Sequence, residues 1–338
     1  MKPTDFSRSL TDFLSKHLPG ERGMSYHTIA SYRDTFILFI TFMTEINKVK
    51  VNKLTLADLK TDNVVAFLNW LQEVRKCSDA TRNVRLAALH SFCSFLQYRN
   101  PIMLYEWQRI LSIKAKKTAA GIAPHLSLEG LKLLLRQPGR MTRKGLRDTA
   151  ILCLMYDSAA RVSEVIALTP SMIRLEKPYT VKLVGKGNRS RIVPLMEDDV
   201  TILRMYMDSN RLSGLNENQK PLFFNARRER LTRAGLHYIV QCYAEMARKK
   251  SPHLIPEKIS CHTLRHSKAF HLLQAGVNLV YIRDILGHSS VQTTEIYARV
   301  DSKQKREALE MAYEGVVPRE APIWSENDNV LDWLKSFG

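Results

Sequence analysis

The 338-residue chain contains no run of about 18 apolar residues, so no membrane-spanning helix is expected. Its opening, MKPTDFSRSLTDFL, interleaves charge where a secretory leader would carry an apolar stretch. The five cysteines (Cys77, Cys93, Cys153, Cys242, Cys261) are scattered, odd in number and without a C-x-x-C pair. That excludes a disulfide framework and fits reduced thiols in a cytoplasmic protein. No internal repeat and no low-complexity segment is present. Acid is scarce: 33 Asp and Glu stand against 51 Lys and Arg, for a net charge of +18 and a pI near 9.8. Such a field favours polyanions, and nucleic acid is the usual partner. Apolar content is ordinary at 45%, enough for two domains with their own cores.

From about Leu10 to Leu111 the pattern is helical. In SYHTIASYRDTFILFITFM, Ser25 is a cap and Ile29, Tyr32, Phe36, Phe39, Ile40 and Met43 form one stripe. Next comes a short helix and then a longer one, capped by Thr61 or Asp62. The segment SDATRNVRLAALHSFCSFLQYR places Ala80, Val84, Ala87, Phe92 and Phe95 inward and Arg82 and Arg85 outward. Between Arg75 and Lys117 there are nine basic residues and two acids. A solvated helix face mixes signs, so Arg75, Lys76, Arg82, Arg85, Lys114, Lys116 and Lys117 read as a surface that tracks phosphates.

Ser112 to Pro124 (SIKAKKTAAGIAP) has small, basic and breaker residues without an apolar stripe, and reads as a linker. Beyond it, SLEGLKLLLRQP and GLRDTAILCLMYDSAARVSEVIAL are helical. YTVKLV and RSRIVPL then read as strands joined by a Gly185-Lys186-Gly187-Asn188 turn. Helical patterns resume from Asp198 to about Tyr313, broken near Pro221 and Pro252. The expected fold is mainly α with a small β-sheet, an α+β arrangement. The domains are a helical one over residues 1–111, a linker over 112–124, a catalytic domain over 125–316 and a tail over 317–338.

Four separated signals lie in the second domain. Arg161 and Glu164 stand three apart on one helix face, a spacing that a buried ion pair also explains. Lys186 sits at the tip of the turn. His262 and Arg265 are one helical turn apart in HTLRHSKAF. Gly287 ends the helix LVYIRDIL, which turns His288 out ahead of a helix carrying Tyr297. A competing reading is zinc, held by His262 and His266 with Cys261 or Cys242. No C-x-x-C or H-E-x-x-H accompanies them, and no metal site is expected. His271 reads as a partly exposed helix residue.

These residue types share one chemistry. A phosphodiester under attack gathers charge on its non-bridging oxygens, which two forked guanidinium groups can hold. A tyrosine hydroxyl, with a pKa near 10, needs cationic neighbours or a base to become a nucleophile. The departing sugar hydroxyl needs a proton, which a lysine on a flexible stem supplies. With that much fixed positive charge the set is self-consistent without a metal or other cofactor.

At these positions the chain resembles the tyrosine recombinase (phage integrase) family. The pattern is Arg161 in R-x-S-E, Lys186 in a β-turn, His262 and Arg265 in H-x-L-R-H, His288 in L-G-H, and Tyr297 nine residues later, with Glu164 at the acidic support position. It covers about Pro124 to Tyr313, with a weaker match of the first domain to the family's core-site-binding module. One departure is DSAARVSE, where the family often has glycine before the arginine; Ala160 is expected to leave the chemistry unaffected.

The resemblance implies attack by Tyr297 on a DNA phosphate, a 3′-phosphotyrosine link and a free 5′-hydroxyl. It further implies a C-shaped clamp of the two domains on double-stranded DNA and a tetramer on two core sites. Tyr297 is then exposed because it must reach a phosphate. The likeness is greatest to transposon or other mobile-element recombinases and to Xer-type recombinases, because the chain starts almost directly in the core-binding module and leaves no room for an arm-binding domain. The length of the Met196 to Pro256 region and of the tail favours integration, excision or transposition of a mobile element over Xer-type dimer resolution. The remaining alternatives are a type IB topoisomerase and a DNA-binding protein that has lost catalysis. A bacterial cytoplasmic, nucleoid-associated protein is expected. In the tail, Val330, Trp333, Leu334 and Phe337 make a narrow apolar stripe, read as a short helix docking on a neighbouring protomer.

Overall fold

The computed structural model describes residues 2–118, 124–212, 219–288, 290 and 294. The chain divides into two compact units, residues 1–120 and 121–338. Among the described residues, no helix is long and apolar enough to cross a membrane.

The first unit is helical. Helix α1 (Asp5–Asp12) runs on into a wider turn over Phe13–Glu21. Helix α2 (Tyr26–Glu45) is capped by Ser25 as expected, and Phe36, Phe39 and Met43 of its stripe are buried. Helix α3 (Thr61–Glu73) is capped differently from expectation. Thr61 is its first residue, and its amide donates to Glu106 Oε1 at 2.5 Å. Glu106 belongs to α5 (Leu104–Leu111), so the cap comes from another helix and satisfies a donor that the helix itself leaves open. Phenylalanine rings fill the core, with Phe92 packed 5.0 Å from Phe36 and 5.1 Å from Phe13 between ring centroids.

Helix α4 (Asp79–Arg99) corrects the expected stripe. Phe92 and Phe95 are buried, but Ala80, Val84 and Ala87 are exposed. The buried face runs through Arg82, Leu86, Leu89, Cys93 and Leu96, a strict helical period set by its larger apolar members. Extrapolated one turn back, that period carries Arg82 inward. Arg82 is 6% exposed, and its Nε and Nη1 are buried without a hydrogen-bond partner. Arg85 is not a free outward cation either. Its Nη1 donates to the Ser31 carbonyl (3.0 Å) and to Thr35 Oγ1 (3.1 Å), tying α4 to α2.

The segment after α5 is held on this unit. Asn83 exchanges two hydrogen bonds with the Lys116 backbone, Lys116 Nζ donates to Gln72, and Ile113 packs on the core.

In the second unit, α6 (Leu128–Leu135) and α7 (Arg143–Asp157) precede the short α8 (Val162–Ala167). Helix α7 is apolar on nearly every side from Ala150 to Met155 and is the central buried helix. A three-stranded antiparallel sheet follows in the order β1 (Ile173–Arg174), β2 (Thr180–Val184), β3 (Ser190–Pro194). The β2–β3 hairpin is the expected one; β1 was not anticipated, being two residues long. Val181, Leu183 and Val193 of the sheet face the core. Helices α9 (Glu197–Ser209), α10 (Arg233–Lys250), α11 (Cys261–Gln274) and α12 (Leu279–Leu286) complete the described part.

Candidate functional site

The chain breaks between α7 and α8, and Arg161 emerges at that break as the N-cap of α8. Its amide donates to Glu164 Oε2 (2.7 Å) and its Nη1 to Glu164 Oε1 (3.0 Å). The three-residue spacing therefore works as a helix cap as well as an ion pair. Two residues earlier, Ala159 has a left-handed backbone with φ 49°. Ala159, not Ala160, occupies the left-handed conformation that favours glycine, and Ala160 is simply buried.

Arg265 lies on α11 and is 4% exposed. Its Nη1 donates to the Ala159 carbonyl (2.7 Å) and its Nη2 to the Leu286 carbonyl (2.5 Å). Arg161 Nη2 donates to the carbonyl of the very next residue, Gly287 (3.0 Å). Two arginines 104 positions apart in the sequence thus converge on consecutive carbonyls at the end of α12. Gly287 ends that helix with φ 63° and turns His288 out, as its sequence context predicts. His288 Nδ1 lies 3.1 Å from Thr294 Oγ1, and Thr294 is buried.

The electrostatics are those of a cation-rich cluster. Desolvation, then the charges of Arg265 and Arg161, push the His288 imidazole down to about 4. His262 keeps an exposed edge, yet desolvation, Arg265 and Arg161 lower it as well. His266, beside it on α11, is pushed down to about 4 by burial first and then by His262, Arg265 and His125. All three rings are neutral near pH 7. For Glu164, burial favours the protonated form, but hydrogen bonds from Arg191 and from the Arg161 amide, with both guanidinium charges, outweigh it and hold the carboxyl below its ordinary value.

Arg191 is the residue that the sequence reading missed. It approaches from β3 and grips Glu164 with both terminal nitrogens (2.7 and 2.9 Å), while its Nε donates to the Ile285 carbonyl (2.8 Å). The available signal was alternation: in RSRIVPL, Arg191 shares its strand face with buried Val193 and Leu195. A charge there requires a buried partner.

Lys186 opens the β2–β3 turn, with Gly187 at φ 73°, and the structure describes its backbone. A Cβ at the preceding Gly185 would stand 3.0 Å from Glu164 Oε1, so the turn backs directly onto the Glu164 carboxylate. Tyr297 and the tail lie outside the described residues. In the first unit Arg75, Lys76, Lys114, Lys116 and Lys117 are exposed, whereas Arg82 and Arg85 are held as described above. Among the described residues no three His, Cys, Asp or Glu side chains converge as metal ligands, and burial pushes the Cys261 thiol up to about 11. His271 Nδ1 pairs with the Tyr156 hydroxyl at 3.0 Å on a partly exposed stretch of α11.

Comparison with known proteins bears on the same region. Residues 126–304 match the phage integrase family, and residues 10–100 match the N-terminal SAM-like domain of phage integrases. A putative integrase/recombinase of Sinorhizobium fredii, y4rC, is 32% identical over 330 residues, covering 97% of each chain. Tyrosine recombinase XerC of a Roseiflexus species is 34% identical over 290 residues, 85% of this chain and 87% of its own. In fold, the chain is similar to the XerH site-specific recombinase bound to its difH substrate. The TM-score is 0.66 and the identity 24%, covering 88% of this chain and 84% of that one. It is likewise similar to the Tn1549 transposon integrase in complex with a circular intermediate DNA, with a TM-score of 0.67 and 13% identity over 89% of this chain and 99% of that one. By these matches the protein belongs to the phage integrase family of tyrosine recombinases, enzymes of site-specific DNA recombination and integration.

Proposed function

We propose that this chain cleaves and rejoins duplex DNA through a 3′-phosphotyrosine at Tyr297, in the service of a mobile element. The observation that carries the reading is the convergence of Arg161 and Arg265 on the carbonyls of Gly287 and Leu286. Arg161, fixed on one side by the oxygens of Glu164 and Gly287 and 31% exposed, presents its guanidinium to a phosphate, while buried Arg265 braces the same corner. Tyr297 attacks phosphorus, the bond from phosphorus to the 5′-oxygen breaks, and Lys186 gives that oxygen its proton. Neutral His262 and His288 are able to accept the tyrosine proton or hydrogen-bond the phosphate. Attack by a 5′-hydroxyl from a partner strand then releases the tyrosine, and the phosphodiester is conserved throughout.

Single-turnover cleavage of a nicked suicide substrate tests this. Wild type should be trapped covalently, and Tyr297→Phe should bind DNA without forming the adduct. Adduct formation by the Phe variant would remove Tyr297 from the role. A 5′-thio leaving group should rescue Lys186→Ala but not Arg161→Ala, and equal failure of both would remove Lys186 as the acid.

Integration is the reading that accords with the name of y4rC, an integrase/recombinase matched through 97% of both chains. The XerC identity of 34% supports dimer resolution as the second reading. Inverted repeats in the DNA flanking the gene would decide for the element. Both units are taken to grip the duplex as a clamp, with exposed Arg75, Lys76, Lys114, Lys116 and Lys117 on phosphates, and four protomers to assemble on two sites. The tail, through Val330, Trp333, Leu334 and Phe337, is taken to dock on a neighbour. Deletion of Asn327 to Gly338 should spare single-site binding and impair synapsis, and normal strand exchange without the tail would refute the docking.

A further inference from the structure

Arg191 joins three parts of the site that are remote in sequence. It stands on the core-facing side of β3, opposite Leu183 of β2, in the hairpin whose turn bears Lys186. Its paired bonds to Glu164 reach α8, and its Nε bond to the Ile285 carbonyl reaches the end of α12. Contact with that corner is close. A Cβ on Gly287 would lie 2.9 Å from Arg191 Nη1 and 3.0 Å from its Cδ, so the residue preceding His288 rests directly on the Arg191 side chain.

Glu164 serves two guanidiniums unequally. Its side chain is 1% exposed, that of Arg191 is 12% exposed and that of Arg161 is 31% exposed. Arg191 takes both carboxylate oxygens in fork geometry, while the Arg161 side chain shares only Oε1 and leaves nitrogen edges toward solvent.

We propose that Arg191 is a positioning residue of the recombination site: through Glu164, Ile285 and Gly287 it locks the Lys186 hairpin to α8 and to the His288 corner, and so fixes where Arg161 presents its guanidinium. This rests on the reading that Arg161 and Lys186 act on the scissile phosphate. Arg191 itself needs no contact with DNA.

Loss of Arg191 has a signature that loss of packing does not share. The charged groups facing Glu164 are Arg161 on α8 and Arg191 on β3, with neutral His288 beyond Arg191. With Arg191 gone, a buried carboxyl keeps one cation instead of two, and desolvation draws its pKa upward. Glu164 then takes up a proton as pH falls, and Arg161 loses a charged anchor.

The test uses the full chain and single-turnover cleavage of the suicide substrate from about pH 5.5 to 9, with DNA binding and thermal melting measured in parallel. Arg191→Met should bind DNA nearly as wild type does but cleave on the order of 10²-fold more slowly near pH 6, the scale of a misplaced catalytic group. Its rate should recover as pH rises, along an acid limb that lies at higher pH than any in wild type. Adding Glu164→Gln to Arg191→Met should abolish that limb. Arg191→Lys keeps the charge and most of the volume, so it covers the case in which the Met variant fails to fold. It should cleave below wild type at every pH, because one ammonium cannot both fork to Glu164 and reach Ile285. Wild-type rate and pH profile in Arg191→Lys would overturn the proposal. So would a loss in Arg191→Met that is equal at all pH values and tracks a fall in melting temperature. Tyr297→Phe, run alongside, separates the two levels: an adduct in that variant sinks the site assignment, whereas Tyr297-dependent cleavage with an unchanged Arg191 variant sinks only the positioning role.

Discussion

The carbonyl of Ala159, a residue with φ 49°, accepts a hydrogen bond from Arg265 Nη1 at 2.7 Å. A strained alanine thus anchors one of the two arginines of the site. Left-handed backbone costs a residue with a Cβ about 1–2 kcal/mol, part of which glycine gives back as unfolded-chain entropy. Ala159→Gly should therefore raise stability by about 0.5–1 kcal/mol, read as a higher denaturation midpoint, while suicide-substrate cleavage is retained. A lower midpoint would show that the alanine methyl contributes more by packing than its backbone strain costs.

Arg82 offers a second stability test. Its guanidinium is buried, with Nε and Nη1 unpartnered. Met keeps the stem and removes the charge, so Arg82→Met should stabilise the first unit by about 1–3 kcal/mol. The salt dependence of DNA binding should not change in this variant. Lys114→Ala or Lys117→Ala, at exposed positions, should each lower the slope of log K against log salt by about 0.9. A reduced slope in Arg82→Met would show that Arg82 reaches a phosphate after all.

His266 and His288 are both drawn down to about 4, far below the ordinary imidazole value of 6.5. Between those values the unfolded chain binds protons that the folded chain does not, so stability falls as pH drops from about 6.5 toward 4. His266→Gln should flatten part of that decline in urea titrations taken at several pH values. An unchanged decline would show that His266 accepts its proton without loss of fold.

Asp199 works in the opposite sense. Burial, then the charge and hydrogen bond of Asp157, push its carboxyl up to about 7 from 3.8. The folded chain holds that proton more tightly than the unfolded chain does, so the contribution is present at low pH and is lost as pH rises through about 7. Asp199→Asn should raise stability at pH 8 more than at pH 5; equal gains at both would mean that the carboxyl ionises freely in the fold.

What was legible in the sequence followed from local geometry. Ser25 as a cap, the Lys186 turn, the Gly287 helix stop and the Arg161–Glu164 spacing each depend on neighbours within a few positions, and each stands as read. What was not legible depends on partners far along the chain. Glu106 caps α3 from 45 residues away, Arg191 meets Glu164 from 27 away, and Arg265 finds Ala159 from 106 away. The misplaced face of α4 has a different cause. Small residues at Ala80 and Ala87 counted as apolar, yet bulky Leu86 and Leu89 decided which side turned inward. Charge alone assigns Arg82 and Arg85 to solvent, whereas the helical period turns Arg82 inward and Arg85 onto α2.

The two-way bond between Asn83 and the Lys116 backbone moves the natural edge of the first unit past the end of its last helix. A fragment cut at Leu111 would uncover the seat of Ile113 and strip Gln72 and Asn83 of their partners, whereas one cut after Lys117 would carry them intact. For anyone wishing to isolate the amino-terminal half for spectroscopy, or to graft it onto a different partner domain, the stretch that looks like a tether is the last piece of the body.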